Sequence, residues 1–126
     1  MEASKRRTIT LTGRSPVRIL DADWPIIASA SGDSFTGNDG ARHLQAQRQG
    51  ELDEWWLKVR QHYSDGRTLV YGRITHGWHG GEDWAGGMLL EPGADIAAAL
   101  HSVGCSSPIP AECFRDCLAA LPPVDL

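Results

Sequence analysis

Between Glu54 and His76 the chain spells out a hairpin. Trp55, Leu57 and Val59 alternate with Trp56, Lys58 and Arg60, then come Ser64-Asp65-Gly66 and a second alternating run from Arg67 to His76. A period of two sends successive side chains to opposite faces, and Asp-Gly between two such runs is a strong short-range hairpin signal. An antiparallel sheet is therefore the framework on which the rest must be placed. In the second strand Leu69, Tyr71 and Arg73 share one face, and Val70, Gly72 and Ile74 share the other. Trp55 and Trp56 are adjacent and must point to opposite sides, so both enter a core only if both faces of the sheet are covered. The side chain left outside would be a stacking platform for a base or sugar, or half of an aromatic pair across the sheet; the second is the commoner arrangement.

Other segments attach to this hairpin. Residues 8 to 12, Thr-Ile-Thr-Leu-Thr, alternate strictly, and Val17 and Ile19 resume the pattern after Gly13 to Pro16, which predicts a strand bent or hairpinned at Arg14-Ser15-Pro16. Asp21 as N-cap, Pro25 in a first turn and Gly32 after Ile26 to Ser31 predict a short helix burying Trp24, Ile27 and Ala28. Residues 32 to 50, rich in Gly, Ser, Asn, Asp and Gln, read as a long loop. A further strand is expected over Gly86 to Leu90. Ile96, Leu100 and Val103 then define a helix closed by Gly104, and a second helix begins near Pro110, turns Phe114, Leu118 and Leu121 inward and stops at Pro122-Pro123. The expectation is an α+β domain spanning 1–126, an antiparallel sheet of about four strands with helices packed on one face, in the order β-α-β-β-β-α-α. Residues 1–7 form a flexible basic N-terminal arm in this reading.

With 126 residues, 41% hydrophobic and 22% charged, the composition is that of an ordinary globular domain and leaves no room for two enzyme domains. No apolar run reaches the roughly 18 residues of a spanning helix, and the basic start is followed by no apolar signal region, so a cytoplasmic protein is expected. Net charge is −4, yet residues 1 to 20 carry Lys5, Arg6, Arg7, Arg14 and Arg18 against Glu2 alone, so the rest of the chain sums to −8. Such a body repels a polyanion and favours basic partners, which makes direct nucleic-acid contact an expectation only for the N-terminal arm.

The densest chemistry lies in Thr75-His-Gly-Trp-His-Gly-Gly-Glu-Asp-Trp84. Three readings stand beside one another. Trp78 and Trp84 cap the open end of the sheet; or they anchor a partner, as exposed Trp residues do in interfaces; or His76 and His79 with Glu82 or Asp83 hold a divalent metal, although the spacing matches no closed site. Carboxylates cluster at Glu51, Asp53 and Glu54 and at Glu82 and Asp83. Solvated surface is the simple explanation for such clusters; converging on one face, they would instead make an acidic surface for a basic partner. Cys105, Cys113 and Cys117 match no zinc spacing and read as reduced thiols, the last two on the core side of a helix. His101 and Cys105 are one turn apart, but Gly104 is expected to end the helix before they meet. No nucleophile elbow or phosphate-binding glycine loop occurs, so no catalytic residue or cofactor is expected.

The stretches TITLTGRSPVRILDADWPIIASASGD, WWLKVRQHYSDGRTLVYG, GADIAAALHSVG and AECFRDCLAALPPVDL resemble small uncharacterised proteins of proteobacterial plasmids and integrative elements. The resemblance implies mobile-element ancestry and, by analogy, an inhibitor of host defence of the anti-CRISPR type. The function expected on these grounds is a non-enzymatic protein-binding inhibitor or accessory factor that blocks a basic nucleic-acid-binding surface of a bacterial host complex. Its contact residues would be Trp78, Glu82, Asp83, Trp84, Glu51, Asp53 and Glu54. The second expectation is a small nucleic-acid-binding regulator using the N-terminal arm with Lys58 and Arg60. The third is a metal-dependent enzyme at the His76/His79 loop. The semi-exposed Trp strand also leaves room for a homodimer.

Overall fold

The computed structural model describes residues 5–34, 41–42, 44–45, 52–76 and 83–123. Its centre is the hairpin of β4 (Glu54–Gln61) and β5 (Thr68–Thr75), paired without a break from Glu54↔Thr75 to Gln61↔Thr68. His62 N–H donates to the Arg67 carbonyl at 2.8 Å to close the connection, and Gly66 takes φ +76°, where a side chain would be strained. On one side β6 (Trp84–Leu90) pairs with β5, and on the other β3 (Ile26–Asp33) pairs with β4, giving the antiparallel order β3-β4-β5-β6. The fold class is the expected one: α1 (Ile96–Ser106) and α2 (Ala111–Ala120) both pack against one face of this sheet.

The element order differs from expectation in two places. The segment expected as a strand bent or hairpinned at Arg14-Ser15-Pro16 takes the hairpin form and counts as two strands, β1 (Arg6–Ile9) against β2 (Val17–Leu20), a ribbon laid across the opposite face of the sheet. Arg6 and Arg7 belong to this ribbon and not to a free arm, while residues 1–4 lie outside the described residues. The helix expected over residues 21 to 31 is instead a turn followed by β3. Asp21 does not cap a helix; its carboxylate accepts two hydrogen bonds from the Arg7 guanidinium at 3.0 Å each. Asp and Pro favour turns as much as helix starts, and Ala-Ser-Ala-Ser over residues 28 to 31 has the period of a strand, with Ala28 buried and Ser29 and Ser31 exposed. Gly32 and Asp33, assigned to the long loop, complete this strand; most of the remainder of 34–50 lies outside the described residues.

Both faces of the sheet are covered, which resolves the Trp pair. Trp55, Leu57, Val59, Val70 and Ile74 meet Leu100, Val103, Ile109, Cys113 and Cys117 on the helix side. On the ribbon side Trp56 packs with Leu69, Tyr71, Ile9, Leu11, Ile19 and Trp24. Trp56 and Tyr71 meet edge to face with centroids 5.5 Å apart, the cross-strand aromatic pair rather than an open platform. The ribbon is tied to β6 by Thr12, whose N–H donates to the Gly87 carbonyl at 2.9 Å while its Oγ1 accepts from Gly87 N–H at 3.1 Å.

Asp95 caps α1 through the Ala98 N–H at 3.1 Å, as its position at the helix start demands. The helix does not stop at Gly104 but runs on to Ser106. Phe114 explains the glycine: a Cβ at residue 104 would stand 3.3 Å from its ring, so Gly104 lets α2 approach closely. On α2 the buried positions are Cys113 and Cys117, Phe114 and Leu121 are half-buried, and Leu118, expected inside, is 46% exposed.

Candidate functional site

The ribbon register decides where its charges go. Arg7 pairs across from Ile19, and Ile9 from Val17, so these four positions share the sheet-facing side. Arg6 and Arg18, on the alternate positions, stand on the outer side, exposed and without an ion-pair partner among the described residues. They line a groove of about 350 Å³ together with Trp24, His62, Arg67 and Asp23, between the ribbon and the β4–β5 connection. The Arg67 guanidinium lies 5.2 Å from the Trp24 ring centroid and is oriented by Asp65, whose Oδ2 accepts from Arg67 Nε at 2.8 Å. Beside the groove, Tyr63 stacks on His62 at 5.1 Å and an interplanar angle of 22°, and it is 72% exposed. Three guanidinium groups with a solvent-facing aromatic ring can hold phosphate and a stacked base. Arg67, His62 and Tyr63 were not singled out by sequence because they sit in a turn whose contact with the ribbon exists only in the fold.

Beneath the ribbon lies a charged layer that is structural. Arg60 is 4% exposed; its Nε donates to Tyr71 Oη at 2.7 Å and its Nη1 to the Trp24 carbonyl at 2.9 Å, with Asp21 Oδ1 3.5 Å away. Arg60 is thus withdrawn from the surface and is not the nucleic-acid contact expected of it. Lys58 rests its ammonium 4.7 Å over the Trp56 ring, and burial lowers its pKa. Hydrogen bonding to Arg7 holds the Asp21 carboxyl below the usual carboxylate range.

Of the acidic and aromatic contact residues expected, Glu51, Trp78 and Glu82 lie outside the described residues, as does His79. The others gather at one end of the sheet. Asp53 Oδ2 stands 3.2 Å from His76 Nδ1, and Asp83 Oδ1 accepts from the His76 backbone N–H at 3.0 Å, with Asp83 Oδ2 4.0 Å from Arg73. Glu54, exposed, pairs across from Asp33 on β3 and Thr75 on β5. Trp84 lies opposite Ile74, half-buried against the helix-side core. Among the described residues no group of three or more His, Cys, Asp or Glu side chains is placed to hold a metal ion. No helix among them is long and apolar enough to cross a membrane.

Because α1 continues through Gly104, His101 and Cys105 do meet, with Nε2 and Sγ 3.6 Å apart on its exposed side. Cys113 and Cys117 are buried, and burial pushes both thiols up to about 11. They are core groups, as their helical spacing implies.

No family model matches the chain, and no solved structure matches it. The chain is similar to a tyrosine recombinase, XerC, from Neisseria gonorrhoeae, with 33% identity over 105 residues. That similarity covers 82% of this chain but 30% of the recombinase, so the chain spans under a third of the length of the curated relative it matches.

Proposed function

We propose that this protein is a non-enzymatic nucleic-acid-binding module that engages phosphate with the outer side of the β1–β2 ribbon and an unpaired base with Tyr63. The observation that carries the reading is the placement of Arg6 and Arg18 on the same outer side of the ribbon, diagonal to one another, exposed and unpaired among the described residues, in the lining of a groove that also contains Arg67. Local density of positive charge, and not the sum over the chain, sets attraction to a polyanion within a Debye length of about 8–10 Å. A net charge of −4 is therefore no obstacle: Asp23 shares the groove and Asp65 pairs with Arg67, which leaves Arg6 and Arg18 as the phosphate contacts. The partial likeness to a recombinase is compatible with such a partner and assigns no activity.

Fluorescence anisotropy with labelled single-stranded and duplex oligonucleotides over a salt series tests it. Single strands should bind more tightly than duplex, and Arg6→Glu with Arg18→Glu should abolish binding. Two phosphate contacts contribute about −1.4 to the slope of log K against log salt on single strands. Absence of binding at low salt, or binding unchanged in the double variant, would remove the reading.

A second reading is favoured by the gathering of Asp53, Glu54 and Asp83 at one sheet end. It is the protein-binding inhibitor, possessed of an acidic surface for a basic partner from a mobile-element host. Two of its acids are already engaged, Asp53 beside His76 Nδ1 and Asp83 by the His76 backbone N–H and Arg73, which is why it stands second. Capture of a basic host protein that survives nuclease and is lost in Glu54→Lys with Asp83→Lys would reverse the order.

A further inference from the structure

We propose that His101 and Cys105 form half of a binding site for a thiophilic divalent cation such as Zn²⁺, completed by the same pair from a second copy of this chain. In a tetrahedral site with Zn–S of about 2.3 Å and Zn–N of about 2.0–2.1 Å, the two ligand atoms stand about 3.6 Å apart. The Nε2···Sγ separation is 3.6 Å. One metal can therefore bind both atoms without movement of the helix, and the ligands occupy one face because they are a single turn apart. Two ligands leave two positions open. With no third donor placed beside them among the described residues, a two-fold partner is the simplest source, since an isologous contact doubles whatever one chain presents.

The surroundings fit a second copy. His101 and Cys105 border an apolar groove of about 350 Å³ with Ala97, Phe114, Arg115 and Leu118, and Leu118 is 46% exposed. An apolar strip beside the ligands supplies the burial that a metal-bridged pair needs. Cys113 and Cys117 do not compete for the metal, being buried on the opposite side of α2.

The full chain, reduced and free of metal, is titrated with Zn²⁺ and separately with Co²⁺, and its mass in solution is followed by sedimentation velocity. The expected result is one Zn²⁺ per two chains, a monomer that becomes a dimer on titration, and a thiolate-to-Co²⁺ charge-transfer band. His101→Ala and Cys105→Ser should each weaken Zn²⁺ binding at least 100-fold and leave the metal-free protein monomeric, with an unchanged melting temperature. His101→Cys, which restores a ligand, should recover metal-dependent dimerisation. A site of one Zn²⁺ per monomer, binding unchanged in both variants, or no uptake at micromolar Zn²⁺ would each overturn the proposal.

Discussion

Arg60 shows most directly how one side chain can be misread from sequence and why. Its alternation with Lys58 and Trp56 places it on the ribbon side of β4, but nothing in the chain says that the ribbon will cover it. In the fold it donates hydrogen bonds to Tyr71 Oη and the Trp24 carbonyl. Arg60→Leu should therefore destabilise the protein by about 2–3 kcal/mol, read as a lower urea midpoint, because it strands two buried acceptors. Adding Tyr71→Phe should recover part of that loss by removing one stranded group. Asp21 belongs to the same layer and gives the pH dependence its sign. Its carboxyl is held low, chiefly by hydrogen bonds from Arg7, so its contribution is complete above the ordinary carboxylate value of about 3.9. That contribution is lost as pH falls from there through the folded value. Asp65, held low by its bonds to Arg67, adds a change of the same sign. Asp21→Asn should therefore be less stable than the parent at pH 7, with a smaller difference at pH 3, in paired urea melts.

Elements were legible where a period was uninterrupted and turn chemistry agreed with it. The β4–β5 hairpin, β6 and both helices could be read because Asp65-Gly66, Asp95 and Pro122-Pro123 mark boundaries that the hydrophobic pattern also marks. Segment 21–33 was not legible as a strand, because small residues carry little pattern and Asp21 and Pro25 serve turns and helix starts alike. β3 exists because β4 offers it a partner edge, a tertiary cause. Gly104 misled for a related reason: its local meaning is a helix end, whereas its real role is to admit Phe114. The helix layer makes a prediction that separates packing from mere helicity. At pH 8 iodoacetamide should label Cys105 alone in the native protein, because Cys113 and Cys117 are buried with thiols near 11, and all three in denaturant, counted by intact mass. Rapid native labelling at three sites would mean that α2 does not hold the packing described.

At the scale of the molecule the sheet separates two chemistries. Arg6 and Arg18 stand outside the ribbon on one side, while Glu112 and Asp116 stand on α2, on the other. The candidate site was illegible because it joins residues 6, 18, 63 and 67, whose proximity follows from the ribbon crossing the sheet and from no local pattern. The same layering sets what a metal-linked pair could do. Contact through α1 and α2 would turn both ribbons outward, with two sheets and two helix layers between them. At roughly 10 Å per layer the ribbons would be about 50 Å apart. A pair of that geometry cannot lay both ribbons on one short strand, but it can hold two separate strands. Donor- and acceptor-labelled oligonucleotides mixed with the protein should therefore show energy transfer only when Zn²⁺ is added, and none with Cys105→Ser. If single strands bind and Zn²⁺ dimerises the chain, yet transfer is far stronger than a separation of about 50 Å allows, the two copies meet through a face other than the helix layer, since any other contact brings the ribbons closer.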